Sequence, residues 1–135
     1  MLRIAAAAAA FLACLCLPAQ DTDAQKKFAG AWEARFNDKV FCTINVKAGD
    51  PISGEMVACN INVDSDGNLR EPDSAPPDEA SPLLNPKIHG DTLSFEDKDG
   101  DDVMRFELKL VRDGQAELTV LDVPVDIKPI PFARK

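Results

Sequence analysis

The sequence predicts an all-β domain: an antiparallel up-and-down meander of roughly seven or eight strands closing into a small barrel, with a β-sandwich as the alternative. Three observations predict it. Apolar residues recur at every second position in run after run, the mark of half-buried strands. Gly49, Gly54, Gly67, Gly90, Gly100 and Gly114 fall between those runs, where turns are needed. Asp outnumbers Glu among the 23 acidic residues, and Asp favours turns where Glu favours helices. Short links between neighbouring strands favour a meander over a Greek key.

The elements follow in order. Arg3 is the only charge in the first stretch, Ile4 to Leu17 is apolar, and Pro18-Ala19 ends the run. This reads as a secretory signal peptide over residues 1–19, too short to span a bilayer. The alternative is a lipoprotein anchored through Cys14, with Phe11-Leu12-Ala13 ahead of it. Export to a periplasmic or extracellular compartment is therefore expected. Residues 20–27 read as a disordered N-terminal segment and residues 28–135 as a single β domain. In that domain Trp32, Ala34 and Phe36 alternate with Glu33 and Arg35, and Cys42, Ile44 and Val46 with Thr43 and Asn45. Val57, Cys59, Ile61 and Val63 form the next apolar set. Residues 71–86 are proline-rich and read as a long loop. Leu93 and Phe95 follow, then Met104, Phe106, Leu108 and Leu110 opposite Arg105, Glu107 and Lys109. Asp113-Gly114 is a hairpin turn leading to Ala116, Leu118 and Val120. The tail carries Pro124, Pro129 and Pro131 and reads as an edge or terminal strand.

Cys42 and Cys59 are the two cysteines outside the signal segment. A hairpin centred between Asp50 and Pro51 sets them opposite each other on the apolar face. An exported protein meets an oxidising compartment, so a disulfide is expected. It would close a loop of roughly 18 residues and contribute about 3 kcal/mol in the chain-entropy account.

Composition narrows the function. The formal net charge is −8, which argues against nucleic acid and against anionic lipid as partners. No second apolar run follows the first, so no membrane span is expected beyond it. His89, the only histidine, precedes a turn and has no nucleophile motif beside it. No catalytic group and no cofactor are expected. Asn62-Val-Asp64-Ser-Asp66-Gly67, with Asp73 at the twelfth place, mimics a calcium loop. It departs from that pattern at both ends. Asp97, Asp99 and Asp101 form a second acidic turn with the ligand type for a divalent ion. Both read as solvated turns, so metal is not expected and these residues are only weak calcium candidates.

Phe28-Ala29-Gly30-Ala31-Trp32 opens the first strand. Gly-x-Trp at that place resembles the calycin barrels: lipocalins, fatty-acid-binding proteins and avidins. The resemblance implies that Trp32 closes one barrel end and that a basic residue of the last strand packs across it. Arg134 is the residue placed for that role. Gly30-x-Trp32, then Val40-Phe41, then Ile52-Ser53-Gly54, is most similar to the opening strands of an avidin. The chain also resembles a group of small exported bacterial β-domains, a likeness that implies no activity. A biotin site would need inward hydroxyls and amides. The inward set read here is apolar: Trp32, Phe36, Cys42, Ile44, Val57 and Ile61, then Leu93, Phe95, Met104, Phe106, Leu108, Leu118 and Val120. The expectation is a packed core and a non-enzymatic exported module. Such a module would bind an unknown protein partner through its acidic surface and long loop. A lipocalin-like carrier of a small apolar ligand is the alternative, and an enzyme is third.

Overall fold

The computed structural model describes residues 23–58, 62–72, 79–99, 101–123 and 126–135. Among the described residues eleven strands form: β1 (Gly30–Phe36), β2 (Lys39–Lys47), β3 (Ser53–Ala58), β4 (Asn62–Val63), β5 (Leu69–Arg70) and β6 (Ser81–Pro82), then β7 (Leu84–His89), β8 (Thr92–Asp99), β9 (Asp102–Arg112), β10 (Gln115–Leu121) and β11 (Ile130–Arg134). Nine belong to one antiparallel sheet in the order β6-β3-β2-β1-β11-β10-β9-β8-β7. Its two outer strands, β6 and β7, are separated only by Leu83. One stretch of chain thus pairs with β3 through its first half and with β8 through its second. The sheet is curled into a nearly closed up-and-down barrel, and neighbours in the ring are sequence neighbours except β3 with β6, which are separated by β4 and β5, and β1 with β11. The β1–β11 pairing, Trp32 with Arg134 and Glu33 with Ala133, joins the two ends of the meander.

Local chemistry accounts for the strands. Asn37 and Asp38 have φ of 50° and 65° and form the tight link between β1 and β2. Two positive φ values suit a twisted hairpin, and Asn and Asp tolerate them best after glycine. Pairing slips between Ala34 and Arg35, with Ala34 opposite Cys42 and Arg35 opposite Val40. Phe41 is the extra residue of this bulge, so Phe41 and Cys42 are both buried.

The core holds Trp32, Ile44, Leu93, Phe95, Phe106, Leu108, Leu118 and Val120, as the alternation predicts. Phe36 and Met104 pack against it half-buried. Phe95 and Phe106 stack with ring centroids 5.3 Å apart. Phe28, Phe41, Met56, Leu83, Ile130 and Phe132 add to this interior.

Four expectations change. Cys42 pairs with Ala58, so the β2–β3 register differs by one residue from the expected one. The observed register turns Gly54 and Met56 to the same side of the strand and buries Met56. The expected register would have turned Ser53 and Glu55 inward, and an unpaired carboxylate there is costly. Val57 accordingly lies half-buried, off the core. Cys42 itself is buried. Cys59 and Ile61 lie outside the described residues. The turn between the strands carries a cis Asp50–Pro51 bond.

The proline-rich stretch is also shorter as a loop than expected, because β6 and the first half of β7 lie within residues 71–86. Pro82 and Pro86 are tolerated because Pro82 sits in a two-residue strand and Pro86 in the irregular pairing between Leu84 and Lys87. Residues 23–28 are helical where disorder was expected, since Phe28 is fully buried and anchors the turn. The tail strand β11 is central in the sheet, flanked by β10 and β1. Pro131 there faces outward, with the inward positions filled by Ile130 and Phe132. The signal segment and Cys14 lie outside the described residues.

Candidate functional site

The barrel has two unlike ends. At one end the helical turn 23–28 lies against β1, β11 and two inter-strand turns. The Trp32 Nε1–H donates to the Phe28 carbonyl oxygen at 2.8 Å. Arg134 lies over the Trp32 ring with its guanidinium carbon 4.5 Å from the centroid. The same guanidinium donates to the carbonyl oxygens of Ala29 and Lys27, the latter at 2.6 Å. A cation over an indole face, held by carbonyls, ties the chain's last strand to its first turn. The Gln25 amide clasps the backbone of Gly49, donating to its oxygen and accepting from its N–H, both at 2.9 Å. Lys27 reaches Asp91 at 3.7 Å. This end is shut.

The other end carries the long connections. After β3 the chain forms the β4–β5 hairpin, Asn62 opposite Arg70 and Val63 opposite Leu69. The hairpin docks on residues 126–128, between β10 and β11, three strands round the ring from β3. It therefore crosses the barrel mouth as a strap. The Lys128 N–H donates to the Gly67 oxygen at 3.0 Å, and Lys128 Nζ donates to Asn68 Oδ1 at 2.8 Å. Leu69, Val123 and Ile127 pack under it against the core. Gly67 has φ +84°, and a Cβ there would run into the Asp126 carbonyl. Only glycine permits this approach.

Asp64, first of the aspartates in the calcium-like stretch, holds the strap in shape. Its Oδ1 accepts from the N–H groups of Asp66 and Asn68, each at 2.9 Å, and its Oδ2 from Asn68 Nδ2 at 3.3 Å. The backbone hydrogen bond from Asn68 is the main cause holding its carboxyl below the usual range. Those donors occupy the oxygens that a calcium ion would need, and Lys128 adds a positive charge nearby. Asp66 is exposed. Asp73 lies outside the described residues. On β8, Asp97 follows Leu93 and Phe95 on the barrel-facing side and has one buried oxygen. Asp99 pairs with Asp102 across the turn, and Asp101 is exposed. Among the described residues no three His, Cys, Asp or Glu converge as metal ligands. His89 is exposed at the end of β7.

Charge is uneven between the ends. Exposed Asp66, Glu71, Glu79, Asp101, Asp102 and Asp126 surround the mouth, with Arg70, Lys98 and Lys128 among them. Lys26, Lys27, Lys109, Arg112, Arg134 and Lys135 gather at the shut end, with Asp50, Asp91 and Asp113 among them. Near the mouth, Arg105 donates to Asp122; this hydrogen bond holds the Asp122 carboxyl below its ordinary range and raises the guanidinium's. The resemblance implied that Arg134 packs across Trp32, but nothing in the sequence signalled the strap or its seat. Asn68 and Lys128 read only as polar loop residues until the fold joins them. No protein-family model, curated protein or solved structure matches the chain.

Proposed function

We propose that this chain is an exported, non-enzymatic binding module of calycin type, whose acidic mouth engages a cationic protein partner. The observation that carries this reading is the filled interior behind the strap. Phe28, Trp32, Phe95, Leu93, Leu108 and Leu118 are all at most 2% exposed. A small-molecule carrier needs a cavity of roughly 300 Å³ or more, and here large side chains already fill that position. Recognition then falls to the surface, and the mouth carries most of the acidic surplus. Complementary charge speeds encounter and selects partners.

Two measurements test the reading. Native mass spectrometry of protein purified from its own host is expected to give the bare polypeptide mass. A co-purifying apolar molecule would overturn the packed interior and favour the carrier. A labelled lysine-rich peptide is expected to bind in a salt-dependent way, and Asp101→Lys with Asp102→Lys to weaken that binding about tenfold. Equal binding by the charge-reversed protein would overturn the mouth as the site.

A further inference from the structure

A shallow groove of about 530 Å³ runs beside the shut end, lined by Lys26, Lys27, Arg112 and Arg134 with Asp91 and Asp113 among them. Through Val111, Arg112 and Arg134 it continues into a second depression of about 750 Å³ along β10, β11 and β1. Arg35 and Lys135 stand in that second part, with Glu33 and Glu117. Leu110, Val111, Pro131 and Ala133 supply apolar surface along it. Val111 is 49% exposed, one of the two large hydrophobic side chains most exposed among the described residues.

Six cations stand against four carboxylates along this surface, a positive surplus in a chain of net charge −8. Lys27 and Arg35 are partly neutralised by Asp91 and Glu33. Among the described residues Lys26, Arg112 and Lys135 form no ion pair. The cations stand along an elongated trough that also carries apolar surface. That arrangement fits an extended chain better than a compact anion: carboxylates along it meet the cations, and a side chain between them covers Val111. Arginine suits this contact, because its fork matches a carboxylate with two parallel hydrogen bonds. Strand addition is closed to the partner here, since β9, β10, β11 and β1 are each paired on both sides.

We propose that this groove docks an extended acidic peptide segment of a partner protein. The site is distinct from the mouth in place and opposite in charge, so it adds a second binding surface to the first.

The full chain carries its own reporter. Trp32 is the only tryptophan, and it lines the groove. A fluorescein-labelled peptide alternating glutamate with leucine is titrated, following both label anisotropy and Trp32 emission. Binding is expected to shift the Trp32 emission and to weaken as salt rises. Arg112→Glu and Lys26→Glu are each expected to weaken it about tenfold, with Arg112→Gln intermediate. All three change exposed side chains, and matching melting curves establish that the fold is kept. Asp101→Lys at the mouth is expected to leave glutamate-peptide binding unchanged, so failure here and failure of the mouth reading are told apart. Equal binding of a lysine–leucine peptide would overturn the proposal. So would unchanged affinity in the Arg112 and Lys26 variants. Capture of the protein by vesicles of anionic lipid without peptide binding would assign the groove to a membrane instead. A sedimentation-detected dimer that Arg112→Glu dissolves, without peptide binding, would assign it to a second copy.

Discussion

The two ends of the barrel are closed by different means. At the shut end a large aromatic side chain is buried, capped by a cation and clasped by backbone carbonyls. At the mouth a hairpin lies across the opening, held by a carboxylate-shaped turn, a glycine contact and one lysine. The first closure is built from full burial, the second from exposed hydrogen bonds over half-buried side chains. Burial of a side chain the size of Trp32 contributes several kcal/mol, whereas exposed polar contacts contribute little each. The shut end is therefore expected to open only with global unfolding, and the strap to open locally at lower cost.

The sharpest break in that contrast is Trp32→Ala. Removing a buried aromatic side chain is expected to cost about 3–5 kcal/mol, seen as a large drop in the denaturant midpoint. Arg134→Lys comes next. Lysine keeps the charge but loses the fork that spans Ala29 and Lys27, and a loss of about 1–2 kcal/mol is expected by chemical denaturation. Gly67→Val is expected to act on the strap alone. Amide exchange in residues 62–70 should rise well above wild type while β1 and β11 keep their protection. Equal loss of protection at both ends would mean that the strap and barrel unfold as one unit.

Acid sharpens the same comparison. Asp64 titrates lower in the folded chain than in the unfolded one. Its contribution is thus present above the ordinary carboxylate range, and it is lost as pH falls through the depressed folded value. Protection in the strap, taken relative to the unstructured exchange rate at each pH, is expected to fall below about pH 4, and Asp64→Asn should remove most of that pH dependence. The smallest effect is expected from Asp122→Asn. Its ion pair with Arg105 is more than half exposed, and the melting midpoint should not move measurably.

Much of this contrast was readable in advance at one end only. Period-two alternation placed Trp32, Ile44, Phe95, Phe106 and Leu118 inside because strand geometry allows few other outcomes. Gly30-x-Trp32 and the basic tail pointed to the shut end. The helical turn was hidden because six residues are too few to show a helical period. The β2–β3 register was misread by one, although Glu55 was the available signal: a register that turns it inward is penalised. The strap was hidden for another reason. It depends on contacts between residues 67–68 and 126–128, and no local pattern announces pairs that distant. The basic groove was masked by net charge, which averages over ends of opposite sign.

The pairing of β1 with β11 also constrains how the chain folds. Arg134 must find carbonyls at Ala29 and Lys27, more than 100 positions away in sequence. Apart from the short β3–β6 seam, every other seam in the wall forms between consecutive strands, so a hairpin-by-hairpin zipper can assemble most of the molecule quickly. Joining the first and last strands carries the largest loop-closure entropy and comes late in such a sequence of events. An interrupted chain on the ribosome therefore holds a curled but open sheet. Its unpaired β1 edge stays exposed until β11 docks on it.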